Sequence, residues 1–180
     1  MDIGSNSGFY TQMMGSMGYN VIAVDPQPQC VQFVTAAATL NGFDDRVTVI
    51  NGFASDDAQA PPVEVPSRTG CFGTFPHLAA PELRTGKNLR KTVHIPSGRE
   101  MVNVSVVNLS EMLGTTTFIP FVKIDTEGHE AEVFNSLDGL LRDNRILIMM
   151  LEANKVTWKK EDKDFTFVTA MFEKLASYGY

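Results

Sequence analysis

Short apolar runs alternate with helical periodicities along most of the chain. Val21 to Val24 is a compact apolar run of the kind a parallel strand shows when both of its faces are covered. Val47 to Ile50 and Pro120 to Ile124 read the same way, and Arg145 to Leu151 is the most hydrophobic of the set. Between them lie helix patterns. Phe9 to Met17 places Phe9, Met13, Met14 and Met17 on one face, which predicts core packing, and Gly18 stops it. Gln29 to Leu40 places Cys30, Phe33, Val34, Ala37 and Leu40 inward and stops at Asn41-Gly42. Phe165 to Ser177 turns Phe165, Val168, Met171, Phe172 and Leu175 inward. The order of strands and helices predicts an α/β fold, a doubly wound and mostly parallel sheet with right-handed crossovers.

One stretch breaks the pattern. Six of the nine prolines fall between residues 58 and 99, with no helical periodicity. A structureless loop of that length is uncommon in a compact domain unless it has a function. It is expected to be an insertion of irregular strands or a hairpin beside the site, within one domain spanning 1–180. Val102, Val104 and Val106 then alternate as a strand, and Ser110 is placed to cap a short helical turn through Leu113.

The chain opens on Met1-Asp2-Ile3-Gly4-Ser5-Asn6-Ser7-Gly8, a strand end turning through glycines into a helix. Glycines allow a close backbone approach to a ligand, and the helix aims its free N–H groups at the loop. Asp25 ends the next strand, where a carboxylate can accept both ribose hydroxyls of an adenosine. The dinucleotide fingerprint wants G-x-G-x-x-G, whereas Gly4 to Gly8 gives G-x-x-x-G behind an acid. A pyrophosphate would be repelled by Asp2. A ligand carrying a cationic amine suits Asp2 better, and S-adenosylmethionine has one. A nicotinamide-dependent oxidoreductase and a binding domain without activity stay open as alternatives.

A second cluster follows the strand that ends at Asp125: Asp125-Thr126-Glu127-Gly128-His129-Glu130. Glu127 and Glu130 are expected in the first helical turn, with Thr126 or Asp125 as its cap, so some of these acids can serve the helix alone. His129 or Glu127 could also take a proton from a substrate hydroxyl. Glu152, at the end of a later strand, could line the same rim. Asp125 and Glu152 could orient a hydroxyl or hold a divalent cation, but no metal site is assigned. Trp158 could form an apolar wall beyond them.

Charge and cysteine content narrow the classes. A net charge of −6 offers no argument for nucleic acid, whose phosphates need clustered Lys and Arg. The basic runs Arg84 to Lys91 and Lys155 to Lys163 are interrupted and read as solvated surface. Cys30 and Cys71 lack metal-ligand spacing and are expected as two free thiols in a reducing compartment. No run approaches a membrane span. A cytoplasmic location is expected, with no membrane contact visible. Only three residues precede Gly4 and no strand follows Tyr180, so the fold is expected to be truncated at both ends.

Taken together, Asp2–Gly8 (DIGSNSG), Val21–Pro26 (VIAVDP) and Val122–Leu137 (VKIDTEGHEAEVFNSL) resemble the motifs of FkbM-type methyltransferases, a branch of the class I S-adenosylmethionine-dependent enzymes. The D-x-E-G-x-E core after an apolar strand is the specific part. The resemblance implies a Rossmann-like sheet and methyl transfer to a hydroxyl of a sugar, glycan or small metabolite. It implies that Asp2, Gly4, Asn6 and Gly8 hold the methionine end of the cofactor. Asp25, with Pro26 beside it, would take the ribose. Phe53 and Ala54 would border the adenine, and Asp125 would sit near the reacting methyl. The family often has Glu where this chain has Asp25.

Overall fold

Five parallel strands carry the fold in this computed structural model, which describes residues 1–57, 59–66, 71, 100–114, 116–154 and 165–180. The sheet is built from β1 (Asp2–Ile3), β2 (Val21–Asp25), β3 (Val47–Asn51), β8 (Ile119–Ile124) and β9 (Ile146–Leu151), in the order β3-β2-β1-β8-β9. β1 is short but pairs on both sides, Asp2 with Ala23 and with Lys123. The strand order therefore reverses at β1, and the carboxyl ends of β1, β2 and β8 meet there. In open parallel sheets ligands bind at such a switch point.

The helices follow from the crossovers. α1 (Phe9–Ser16) and α2 (Pro28–Leu40) pack on each other and on β2 and β3. Past the reversal, α4 (Glu130–Ser136) packs on α5 (Asp138–Arg142) and on α6 (Phe165–Ser177). Right-handed connections running outward in both directions from β1 put these two groups on opposite faces. The main core joins Ile3, Val122 and Ile124 of the sheet to Phe134, Leu137, Leu140 and Leu141 of α4 and α5, and to Met171 and Leu175 of α6.

Two helices bury faces that only partly match their periodicity: Met14, Cys30 and Val34 are inward as expected, and the other expected residues are not buried. On α1 the buried residues are Thr11, Met14 and Gly15, while Phe9 is 68% exposed and Met13 and Met17 also face out. Thr11 is drawn inward because it supplies both donors to Asp2 below it, and Gly15 because a Cβ there would press on Phe43. On α2 the buried row is Cys30, Val34 and Ala38, leaving Phe33 and Leu40 exposed. α6 matches its expected span, with Met171 and Leu175 buried and Phe172 exposed; the side chain of Phe165 lies outside the described residues.

The described residues of the middle of the chain contain strands. β5 (Val63–Pro66) pairs antiparallel with β6 (Met101–Val104), and Val63, Val65 and Val104 share a small core with Phe53. The valine alternation is not one strand. It breaks at Ser105, and β7 (Val106–Val107) pairs parallel with β4 (Phe53–Ala54). α3 (Leu109–Leu113) is capped by Asn108, which accepts from the Glu111 N–H at 3.2 Å. Ser110, the expected cap, instead donates to the Ser136 carbonyl at 2.8 Å and ties α3 to α4. Much of the stretch 58–99, both basic runs and Trp158 lie outside the described residues.

The cysteines are joined. Cys30 on α2 and Cys71 form a disulfide across 41 residues, where free thiols were expected. Their spacing in the chain gave no sign that the fold would bring them together. Closing a loop of that length removes unfolded-state entropy worth about 2–4 kcal/mol. Cys71→Ser should therefore lower the urea midpoint of the oxidised protein, and a reducing agent should move the wild-type midpoint to the same value.

Candidate active site

Gly4 is the hinge of the site. It leaves β1 at φ +73°, and a Cβ on it would lie 1.8 Å from the carbonyl oxygen of Asp125. The loop can thus rest directly on the end of β8 only if residue 4 has no side chain. The Gly4 and Ser5 N–H groups donate to the Val24 carbonyl at 2.9 and 3.3 Å, which folds the loop over the end of β2. Gly8 (φ +79°) has a different task. Its missing Cβ lets the start of α1 touch Val34 of α2.

Asp25 closes the other side. It is 2% exposed, and its two oxygens accept from the Asn6 N–H at 2.8 Å and the Gln27 N–H at 2.9 Å. Burial outweighs these bonds and raises its carboxyl to about 6. Between Asp25 and the end of β8 lies an open cleft of about 550 Å³, solvent included. Gly4, Asn6, Asp25, Pro26, Phe53, Asp125, Glu127 and His129 line it, joined by Gln27 and by Thr126, which was expected only as a helix cap.

The remaining expected cofactor residues lie elsewhere. Asp2 is fully buried under the loop and does not face the cleft. Its Oδ2 accepts from Thr11 N–H at 3.0 Å and Thr11 Oγ1 at 2.6 Å, and Oδ1 stands 3.5 Å from Lys123 Nζ. It holds α1 to the sheet through Oδ2. Ala54 sits in the main core behind Phe53, and Gly8 is a packing residue.

The acids after β8 divide by role. Glu130 is buried, and its Oε1 accepts from Thr126 N–H, Thr126 Oγ1 and Gly128 N–H at 3.0–3.1 Å. It shapes the turn. Glu127 is not in the helix as expected; it precedes it at φ +56° and lines the cleft. His129, not Thr126 or Asp125, occupies the cap position. Its ring is 7% exposed, edge-on to Phe53 at 5.1 Å, with neither nitrogen hydrogen-bonded. Nδ1 lies 3.9 Å from Glu132 Oε1.

Glu152, just past β9, comes to the same rim. Oxygens of Asp125, Glu127 and Glu152 lie within 4.8 Å of one another. Desolvation, followed by the hydrogen bond with Asp125 and the charges of Asp125 and Glu127, pushes the Glu152 carboxyl up to about 7. Such a trio has the oxygen chemistry of a divalent cation site, but nothing else at the rim points to an ion. Lys123, which was not among the expected site residues, is a buried cation at this reversal of the sheet. Its only signal was a charge inside the apolar run Phe121-Val122-Lys123-Ile124.

A parallel sheet reversing at β1, with a glycine loop and a buried acid facing each other across its carboxyl ends, defines a Rossmann-like α/β fold. Residues 2–180 match the family described as the methyltransferase FkbM domain, and the chain belongs to that family. No match was found among curated proteins or among solved structures. The family makes the chain a methyltransferase. No helix among the described residues is long and apolar enough to cross a membrane.

Glu130→Ala should leave three donors in the turn without their acceptor. A lost bond to a charged group costs about 1.5–3 kcal/mol. A thermal melt should show the variant several degrees less stable than the wild type.

Proposed function

We propose that this chain transfers the methyl group of S-adenosylmethionine to a hydroxyl of a sugar or small metabolite. The observation that carries this reading is the buried carboxylate of Asp25, facing Gly4, Asp125 and His129 across one cleft. The residues fit that cofactor. Two backbone N–H groups hold Asp25 and leave its other lone pairs for ribose hydroxyls. Gly4 leaves the loop backbone bare for the methionine end, and Phe53 offers an apolar wall for adenine.

When bound, the cofactor supplies a methyl group already activated on its sulfonium. What this chain must add is alignment and proton removal. Asp125, at the tip of β8, is assigned to the neighbourhood of the reacting methyl. His129 is assigned as the base that takes the acceptor's hydroxyl proton, with Glu127 as the second candidate. The two nitrogens of His129, buried and without a hydrogen-bond partner, are what favour it. Glu152 would orient the acceptor hydroxyl beside Asp125. Acids dominate this rim, which suits a neutral polyhydroxyl acceptor better than a phosphorylated one.

Asp25→Ala should weaken cofactor binding by about 2–3 kcal/mol, roughly 30- to 150-fold, since it removes a charged acceptor from two hydroxyls. Calorimetry showing unchanged affinity would sink the ribose assignment. In the wild type the charged form of Asp25 is the acceptor, so affinity should be level above pH 7. It should fall as the pH drops through about 6. His129→Ala should cut turnover by about 10²–10⁴-fold and spare cofactor affinity; full activity in a labelled-methyl transfer assay would remove it as the base.

A further inference from the structure

Lys123 is a buried cation with more than one partner. It lies on β8 beside β1, at the reversal of the sheet, and is 4% exposed. Its Nζ donates to the Gly4 carbonyl at 2.7 Å. The same nitrogen stands 3.4 Å from Asp125 Oδ2 and 3.5 Å from Asp2 Oδ1. The Tyr10 ring covers it, with the centroid 5.7 Å away. Each contact belongs to a different part of the site: the glycine loop, the tip of β8, the floor under α1.

An ammonium is a compact point charge with three donors and no preferred plane. Held on a rigid central strand, it can fix several acceptors at once. Its arrangement is lopsided in a useful way. Asp2 is closed off by Thr11, whereas the side chain of Asp125 is 40% exposed and reaches the cleft. The buried end of the network anchors the lysine, and the exposed end is the one it can orient.

We propose that Lys123 is a positioning residue that clamps the Gly4 carbonyl and the Asp125 carboxylate into one geometry, and so sets the part of the cleft that receives the methionine end of the methyl donor. This rests on the S-adenosylmethionine reading above. The clamp bonds neither Asp25 nor Phe53, and the Lys123 charge is only a lesser influence on the Asp25 carboxyl. With both probes titrated at about pH 8, where Asp25 stays ionised, its main effect falls on the half that receives the methionine end.

Removing Lys123 alone would strand the Asp2 charge in the core, which is strongly destabilising. The test therefore pairs Lys123→Met with Asp2→Asn, whose amide oxygen can still accept from Thr11. Replacing a buried ion pair by neutral groups of similar size is often tolerated. Asp2→Asn alone, which keeps the clamp, is the reference. Two probes are titrated by calorimetry: S-adenosylhomocysteine, which has the amino-acid end, and adenosine, which lacks it.

The paired variant should bind S-adenosylhomocysteine at least about tenfold more weakly than the reference, with adenosine affinity within about twofold. A purely structural role for Lys123 would loosen both probes together, and that result overturns the proposal. Equal affinity for S-adenosylhomocysteine in reference and paired variant overturns it as well. If the wild type binds neither probe, the donor reading itself fails and the clamp falls with it. Wild-type binding with no selective loss removes the clamp alone.

Discussion

The contact between Gly4 and the Asp125 carbonyl is the constraint on which the site depends. Two strand ends approach so closely at the reversal of the sheet that a Cβ would lie 1.8 Å from a backbone oxygen. Only glycine permits that approach and the positive φ that goes with it. Once it is made, the loop turns over β2, Asn6 reaches Asp25, and the cleft has two walls. The chemistry of the site is therefore a consequence of strand order. β1, β2 and β8 are far apart in the chain and neighbours in the sheet.

Charge is distributed around that contact in layers. Beneath it, Asp2 and Lys123 are buried and bonded to backbone and side chains. Above it, Asp125, Glu127 and Glu152 crowd the rim, and desolvation together with that proximity pushes the Glu152 carboxyl up to about 7. Burial alone does not separate the roles. Glu130 and His129 are adjacent and both buried, yet the Glu130 carboxylate accepts from three donors and neither ring nitrogen of His129 is hydrogen-bonded. A polar group already satisfied is architecture, while an unsatisfied one facing a cleft is available for a ligand.

Much of this was legible before any coordinates. Parallel strands announce themselves as apolar runs, so β2, β3, β8 and β9 were placed to within a residue or two, although Leu147 and Ile148 of β9 stand exposed where covered faces were expected. The positions of Asp25 and Asp125 followed, because both stand at the ends of strands whose apolar runs are legible. The failures have physical reasons as well. Periodicity states that a helix has a face; it does not say which face meets the sheet. α1 has both an apolar row, Phe9-Met13-Met17, and a mixed row, Thr11-Met14-Gly15, and the buried acid under it selected the second. The alternation of Val102, Val104 and Val106 continues across Ser105, but partner strands change there.

The sequence by itself determined the fold class and the two acidic strand ends, since both depend on local patterns of burial and turn chemistry. Tertiary structure decided what each polar residue does. Asp2 and Asp25 both stand in apolar surroundings at strand positions, and in the chain they look alike. One met Thr11 and Lys123 and became part of the floor; the other met two backbone N–H groups and kept a side open to the cleft. The same holds for Cys30 and Cys71, whose bond depends on a meeting that spacing does not encode. Partners are set by distance in space, and only the folded sheet brings residues from its separate strands within bonding range.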